Sequence, residues 1–230
     1  MPALDILPGP PPRGLLVDID GTLLDGERAI PGAVEALRRL RARQLEVRLL
    51  TNTSRRGRAD IGRSLRGLGF DLDDAAILTP ALLARRLIRD AGASEAALFV
   101  TPEARADLDG VEDTRRAPHF VVLGDLGDGF THQVLSEVFR LVRGGATLVA
   151  LHRNPWWTPG GGAEPVLDVG AYTAAIEHAT GAQAHLVGKP AAAFFALALG
   201  ELGLPAGGVV VVGDDAEADG RGGLEAGCRV

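Results

Sequence analysis

Short runs of aliphatic residues recur along the chain, at 14–18, 47–51, 97–100, 120–123, 147–151 and 209–213, each ending on a polar or small residue or followed directly by one. Runs this short and this rich in Val and Leu, without polar alternation, fit parallel strands buried on both faces. A weaker run of the same kind covers 185–188. Between them the apolar period changes to that of a helix. In 31–44, Val34, Leu37 and Leu40 fall at helical spacing, with Pro31 near the start and arginines toward the end, as the helix dipole favours. Similar patterns cover 57–68, 81–91, 133–143, 172–180 and 191–202. Strand and helix alternating along most of the chain predict an α/β fold with a parallel sheet.

In open α/β sheets, chemistry collects beyond the carboxyl ends of the strands. The first run is followed by Asp18, Asp20, Gly21 and Thr22, and the second by Thr51, Asn52, Thr53 and Ser54. The 185–188 run leads into Lys189, and the last into Asp214, Asp215 and, one helical turn on, Asp219. Lys189 is the single lysine of an arginine-rich chain.

Asp18 and Asp20 project to the same side if the strand continues, and two adjacent carboxylates call for a cation or a shared proton. With Asp214 and Asp215 added, the donors are all hard oxygens, which suits Mg²⁺ and not zinc. Carboxylates, a lysine and hydroxyl donors together form an apparatus for stabilising a phosphoryl group in transfer. Asp18 can serve as a carboxylate nucleophile forming an aspartyl-phosphate, and Asp20 as the general acid and then base.

The segments DIDGTLLDGERAIPGAVEAL, LLTNTS, VGKP and VVGDDAEAD, in that order, resemble the four motifs of the haloacid dehalogenase-like (HAD) phosphatase superfamily. The resemblance covers nearly the whole chain and implies a three-layer Rossmann-like parallel sheet carrying an inserted α/β cap. It gives Asp18 the nucleophile's place and Asp20 that of the general acid/base. Thr51 becomes the phosphate-binding hydroxyl with Asn52 beside it, and Lys189 the charge-holding lysine. Asp214 becomes the metal ligand, with Asp18 and the Asp20 carbonyl, and Asp215 and Asp219 the supporting acids. The resemblance divides the chain into a flexible lead-in at 1–13, a core of 14–80 with 185–230, and a type-2 cap at 81–184. Ala218 departs from the pattern by standing where relatives tend to carry another acid. The chain also ends at Val230, where a further strand and helix are expected, so an edge of the core sheet should show unpaired backbone.

Composition narrows the function classes. With 46% hydrophobic and 23% charged residues, the 230-residue chain is long and apolar enough for a packed core. A net charge of −6 argues against nucleic acid as partner. One cysteine forms no internal disulfide. No apolar stretch is long enough for a membrane span, and the proline-broken N-terminus lacks the features of a signal peptide, so the expected location is the cytoplasm. The expected partner is a small phosphorylated molecule, and a second copy is a candidate because relatives often pair through caps. Trp156 and Trp157 are read as filling the cap core or a dimer interface in preference to stacking on substrate. The five histidines lack metal spacing and are read as surface or packing residues. Carbon–halogen hydrolysis is disfavoured because it needs neither Asp20 nor the Asp214 group. A phospho-accepting receiver is disfavoured by the insertion, which leaves a catalytically silent HAD-fold binding protein as the rival reading.

Overall fold

The computed structural model describes residues 10–158 and 163–230. Most of the expected lead-in (1–9) and the glycines after the tryptophans (160–162) lie outside the described residues. Strand β1 (Gly14–Asp18) is buried at every position. The chain then forms a small antiparallel hairpin, β2 (Leu24–Asp25) and β3 (Arg28–Ala29), before α1 (Ala33–Ala42) and β4 (Glu46–Leu50). Next come α2 (Arg58–Gly67), β5 (Ile77–Leu78) and α3 (Pro80–Asp90), the last with proline in its first turn after Thr79. Strands β1, β4 and β5 form one parallel sheet with a strand from the chain's far end, described below.

A second α/β unit follows. It contains β6 (Glu95–Phe99), α4 (Pro102–Arg105), β7 (Glu112–Asp113), β8 (Phe120–Leu123), α5 (His132–Arg143) and β9 (Thr147–Ala150). The hairpin β10 (Trp156–Trp157) and β11 (Val166–Leu167), helix α6 (Val169–Thr180) and β12 (His185–Leu186) complete it. The chain closes with α7 (Ala192–Leu202), β13 (Val209–Val212) and α8 (Gly222–Glu225).

The first sheet runs β13-β1-β4-β5 and the second β12-β9-β8-β6-β7, and every pairing in both is parallel. The short 185–188 run thus supplies an edge strand of the second sheet. Alternation along the strands sorts their side chains into layers. Leu15, Val17 and Leu49 pack with Leu37, Ile61 and Leu65 of α1 and α2. Leu16 and Leu50 turn the other way, into a cluster with Leu82 and Ile88 of α3 and Phe194 and Phe195 of α7. Leu98, Val122 and Val149 of the second sheet enter that same cluster. Their neighbours Phe99, Val121 and Leu148 face α5 and α6. Helix α7, which carries no charge before Glu201, buries Phe194, Phe195, Leu197, Ala198 and Leu202 and leaves Ala193 and Ala196 exposed.

The expected bare edge beside β13 is partly covered. The Arg229 N–H donates to the Val209 carbonyl at 3.0 Å, and its carbonyl accepts from Val211 N–H at 2.7 Å. Arg229 therefore takes up strand pairing, because β13 presents backbone groups on that side that need partners.

Candidate active site

At the carboxyl edge of the first sheet, the ends of β1, β4 and β13 meet the end of β12 from the second. Because β1 lies between β13 and β4, Asp18 emerges at the centre of that edge, with Thr51 and the Asp214 loop on its two sides. Asp18 is almost wholly buried, and Lys189 Nζ contacts its Oδ1 at 2.5 Å and Asp219 Oδ1 at 2.7 Å. Thr22 Oγ1 donates to the other Asp18 oxygen at 3.3 Å. Asp20 is exposed, and its Oδ2 accepts from the buried Thr51 hydroxyl at 3.2 Å. Thr51 Oγ1 in turn accepts from Thr53 N–H at 2.9 Å.

The remaining expected residues hold this arrangement together. Asn52, expected beside the phosphate, lines the cleft and uses both ends of its amide on the Lys189 main chain. Its Nδ2 donates to the Lys189 carbonyl at 3.0 Å, and its Oδ1 accepts from Lys189 N–H at 2.8 Å. Asp215 Oδ1 accepts from the N–H groups of Glu217 and Ala218 at 2.8 and 2.9 Å. It thereby caps the π-helical turn Ala216–Arg221, which brings Asp219 back onto Lys189. Widened turns of this kind often sit at functional sites. Two glycines permit the close approach. A Cβ on Gly21 would lie 2.1 Å from Asp214 Oδ2, and one on Gly213 would lie 2.3 Å from the Asp219 carboxyl carbon. Gly21 also has φ +91°, where a side chain is strained.

Electrostatics follow from crowding acids in a buried place. Burial pushes the Asp18 carboxyl up to about 7 against the pull of Lys189, with Asp219 and Asp20 adding to the rise. Burial also disfavours the Lys189 ammonium, yet Asp18 and Asp219 outweigh it and hold its pKa above the usual lysine value. Carboxylate oxygens of Asp18, Asp214 and Asp219 all lie within 4.8 Å of one another. Asp219 Oδ2 is buried with no hydrogen-bond partner. Oxygen donors, excess negative charge and an unpartnered buried oxygen fit a hard divalent cation.

The cluster opens into a cleft of about 980 Å³, whose lining includes Arg55, Asp125, His152, Trp157 and Asp168 from the loops facing it. Of the two packing readings of the tryptophans, cap core or dimer interface, the core one does not survive. Trp156 is 59% exposed, and Trp157 lines the cleft with the Arg55 guanidinium 5.6 Å from its ring centroid. His152 falls on the packing side of its expected roles. It is buried, and burial lowers its pKa to about 4. Its neighbour Asp168 is pushed up to about 6, chiefly by burial. Sequence reasoning passed over Arg55, Asp125, His152 and Asp168, which follow different strands and carry no shared spacing. Thr22 lay inside the first motif and was legible there.

Two family models match the chain, one described as haloacid dehalogenase-like hydrolase over residues 15–112 and one as HAD-hydrolase-like over 186–230. Phospholysine phosphohistidine inorganic pyrophosphate phosphatase of Bos taurus is 36% identical over 223 residues, covering 94% of this chain and 81% of that protein. Haloacid dehalogenase-like hydrolase domain-containing protein 2 of Bos taurus is 36% identical over 217 residues, with coverages of 94% and 82%. Among solved structures, glycerol phosphate phosphatase from Mycobacterium tuberculosis in complex with magnesium superposes with a TM-score of 0.84 at 28% identity, over 94% of this chain and 66% of that one.

Proposed function

Since the chain belongs to the haloacid dehalogenase-like hydrolases, we propose that it is a Mg²⁺-dependent phosphatase acting on a small phosphorylated molecule through an aspartyl-phosphate on Asp18. The observation that carries this reading is the buried Asp18–Lys189–Asp219 contact, with Asp214 within reach of the same point. Asp18 attacks phosphorus, and the bond to the leaving oxygen breaks as Asp20 donates a proton to that oxygen. Asp20, now a carboxylate held by Thr51, takes a proton from the water that attacks the phospho-Asp18. Inorganic phosphate leaves and the Asp18 carboxylate is restored. Lys189 offsets the charge that builds on the nucleophile and the phosphoryl oxygens. Asp18, Asp214 and the Asp20 carbonyl would hold Mg²⁺, which when bound adds positive charge against the phosphoryl oxygens. The unit within 81–184, whose sheet takes β12 (His185–Leu186) as its edge strand, acts as the cap that supplies leaving-group contacts, with the core formed by 14–80 and the chain after β12.

The relatives' names cite phospholysine, phosphohistidine, inorganic pyrophosphate and glycerol phosphate, which supports this substrate class. The test is Asp18→Asn assayed with p-nitrophenyl phosphate and Mg²⁺. Turnover should fall by at least about a thousandfold, with a far-UV spectrum and melting transition like those of the parent. Retained turnover in that folded variant would refute the nucleophile's assignment.

A further inference from the structure

The cleft holds a second buried polar group that the proposed chemistry does not use. Ser54, two residues past Asn52, accepts a hydrogen bond from Asp125 N–H at 2.8 Å, and its Oγ lies 3.1 Å from His152 Nε2. On the other side of the ring, Asn154 N–H points at His152 Nδ1 at 3.4 Å. That N–H requires Nδ1 to be the acceptor, so Nε2 carries the hydrogen and donates it to Ser54. Asp168 Oδ1 sits 3.7 Å from Nε2, beyond hydrogen-bond distance, and accepts instead from Val169 N–H at 2.7 Å. Because burial keeps the imidazole neutral, this is no ion pair.

His152 stands where two structures join. Through Ser54 it meets the loop after β4. Through Asn154 it meets the root of the β10–β11 hairpin. That root is pinned by Asp168 N–H to the Pro155 carbonyl and by Gly170 N–H to the Asn154 carbonyl, both at 3.0 Å. A Cβ on Gly170 would strike the Arg153 carbonyl at 2.3 Å, so the approach of α6 to this loop depends on glycine. The hairpin carries Trp157 into the cleft, and Arg55 packs on its ring. Arg55 Nε is in turn bound to Asp125 Oδ2 at 3.0 Å, while Asp125 Oδ1 accepts from Gly127 N–H at 2.7 Å.

We propose that His152 is a positioning residue for the leaving group: its imidazole ties the loop after β4 to the β10–β11 hairpin and so holds Trp157 and Arg55 in place as a wall of the cleft. The inference rests on the phosphatase reading for its kinetic consequence, but not for its structural one. Removing the imidazole leaves Ser54 and the Asn154 N–H without their buried partner and frees the wall, while the Asp18–Lys189–Asp219 contacts stay as they were.

The experiment uses His152→Leu, which fills the space without the hydrogen bond, and His152→Gln, whose amide can donate to Ser54. In His152→Leu, KM for p-nitrophenyl phosphate should rise about tenfold, with kcat within about threefold and inhibition by inorganic phosphate within about twofold. His152→Gln should restore KM. Both tryptophans lie on β10, so in a Trp156→Phe background the fluorescence reports Trp157 alone. Its emission should shift to the red and its acrylamide quenching should increase in His152→Leu. Phosphate inhibition weakening together with KM, or a fall in kcat with KM and quenching unchanged, overturns the proposal. If His152→Leu does not fold, Ser54→Ala cuts the same link from its other end and should give the same split. A parental KM in folded Ser54→Ala overturns the proposal. Absence of any Mg²⁺-dependent turnover in the parent defeats the phosphatase reading, and the Trp157 quenching then still decides whether His152 holds the wall.

Discussion

Single atoms decide the outcome at the acid cluster. The Gly21 backbone passes so close to Asp214 that there is no room for a methyl group, and its φ of +91° adds conformational strain. Gly21→Ala should therefore cost about 1–3 kcal/mol in folding stability and displace Asp214. Thermal denaturation would register the first effect and a Mg²⁺ titration of activity the second, as a higher requirement for the ion. The glycine's place directly after Asp20 was legible as a sharp turn, since no other residue turns so freely beside a reacting group. Its real constraint, the carboxylate of Asp214 almost two hundred positions away in sequence, was not. Asn52 shows the same limit. Its neighbour Thr51 marked it for the phosphate site, but nothing local marked the engagement of its amide by the Lys189 backbone, a pairing set by how two loops meet.

Elements were legible where periodicity is strong. Six strands and six helices lie within a few residues of the runs that announced them, because a doubly covered strand must be apolar throughout and an amphipathic helix must repeat. The short pieces were not foreseen: β5, β7 and the two hairpins are each two or four residues of strand, too few to show a period. Local capping belongs to this scale. Thr131 caps α5 by accepting from Val134 N–H at 3.3 Å, on the outer layer of the second unit. Thr131→Ala should lower stability by about 1 kcal/mol, measured by urea denaturation, with kinetics unchanged. The core reading of Trp156 and Trp157 failed for a related reason. Adjacent residues on a two-residue strand point to opposite faces, so they cannot both fill one core, and here neither does.

Taken as a whole, the molecule is a stack of five layers in which α3 and α7 join two parallel sheets through one apolar cluster. The two units should therefore unfold together, with tryptophan fluorescence from the hairpin and far-UV circular dichroism giving one coincident transition. Phe194→Ala, at the centre of that cluster, should cost about 3–5 kcal/mol and lower both signals at the same denaturant concentration. The pH dependence has a worked sign at His152. Folding lowers its pKa from 6.5 to about 4, so between those values the unfolded chain binds a proton that the folded one refuses. This residue's contribution to stability is present above pH 6.5 and lost as the pH falls toward 4. His152→Gln, which cannot take up that proton, should show a stability deficit against the parent that shrinks over the same interval, read from denaturant midpoints at several pH values. From the amino-acid order alone came the α/β class, the strand-end acids and the lone lysine, since burial on two faces and carboxylate chemistry both leave local marks. The partners of those groups came from tertiary structure: Asp219 on Lys189, His152 on Ser54, and Arg55 on Trp157. Contacts between loops that follow different strands depend on sheet order and on how the layers stack, and no local period in a sequence records either one.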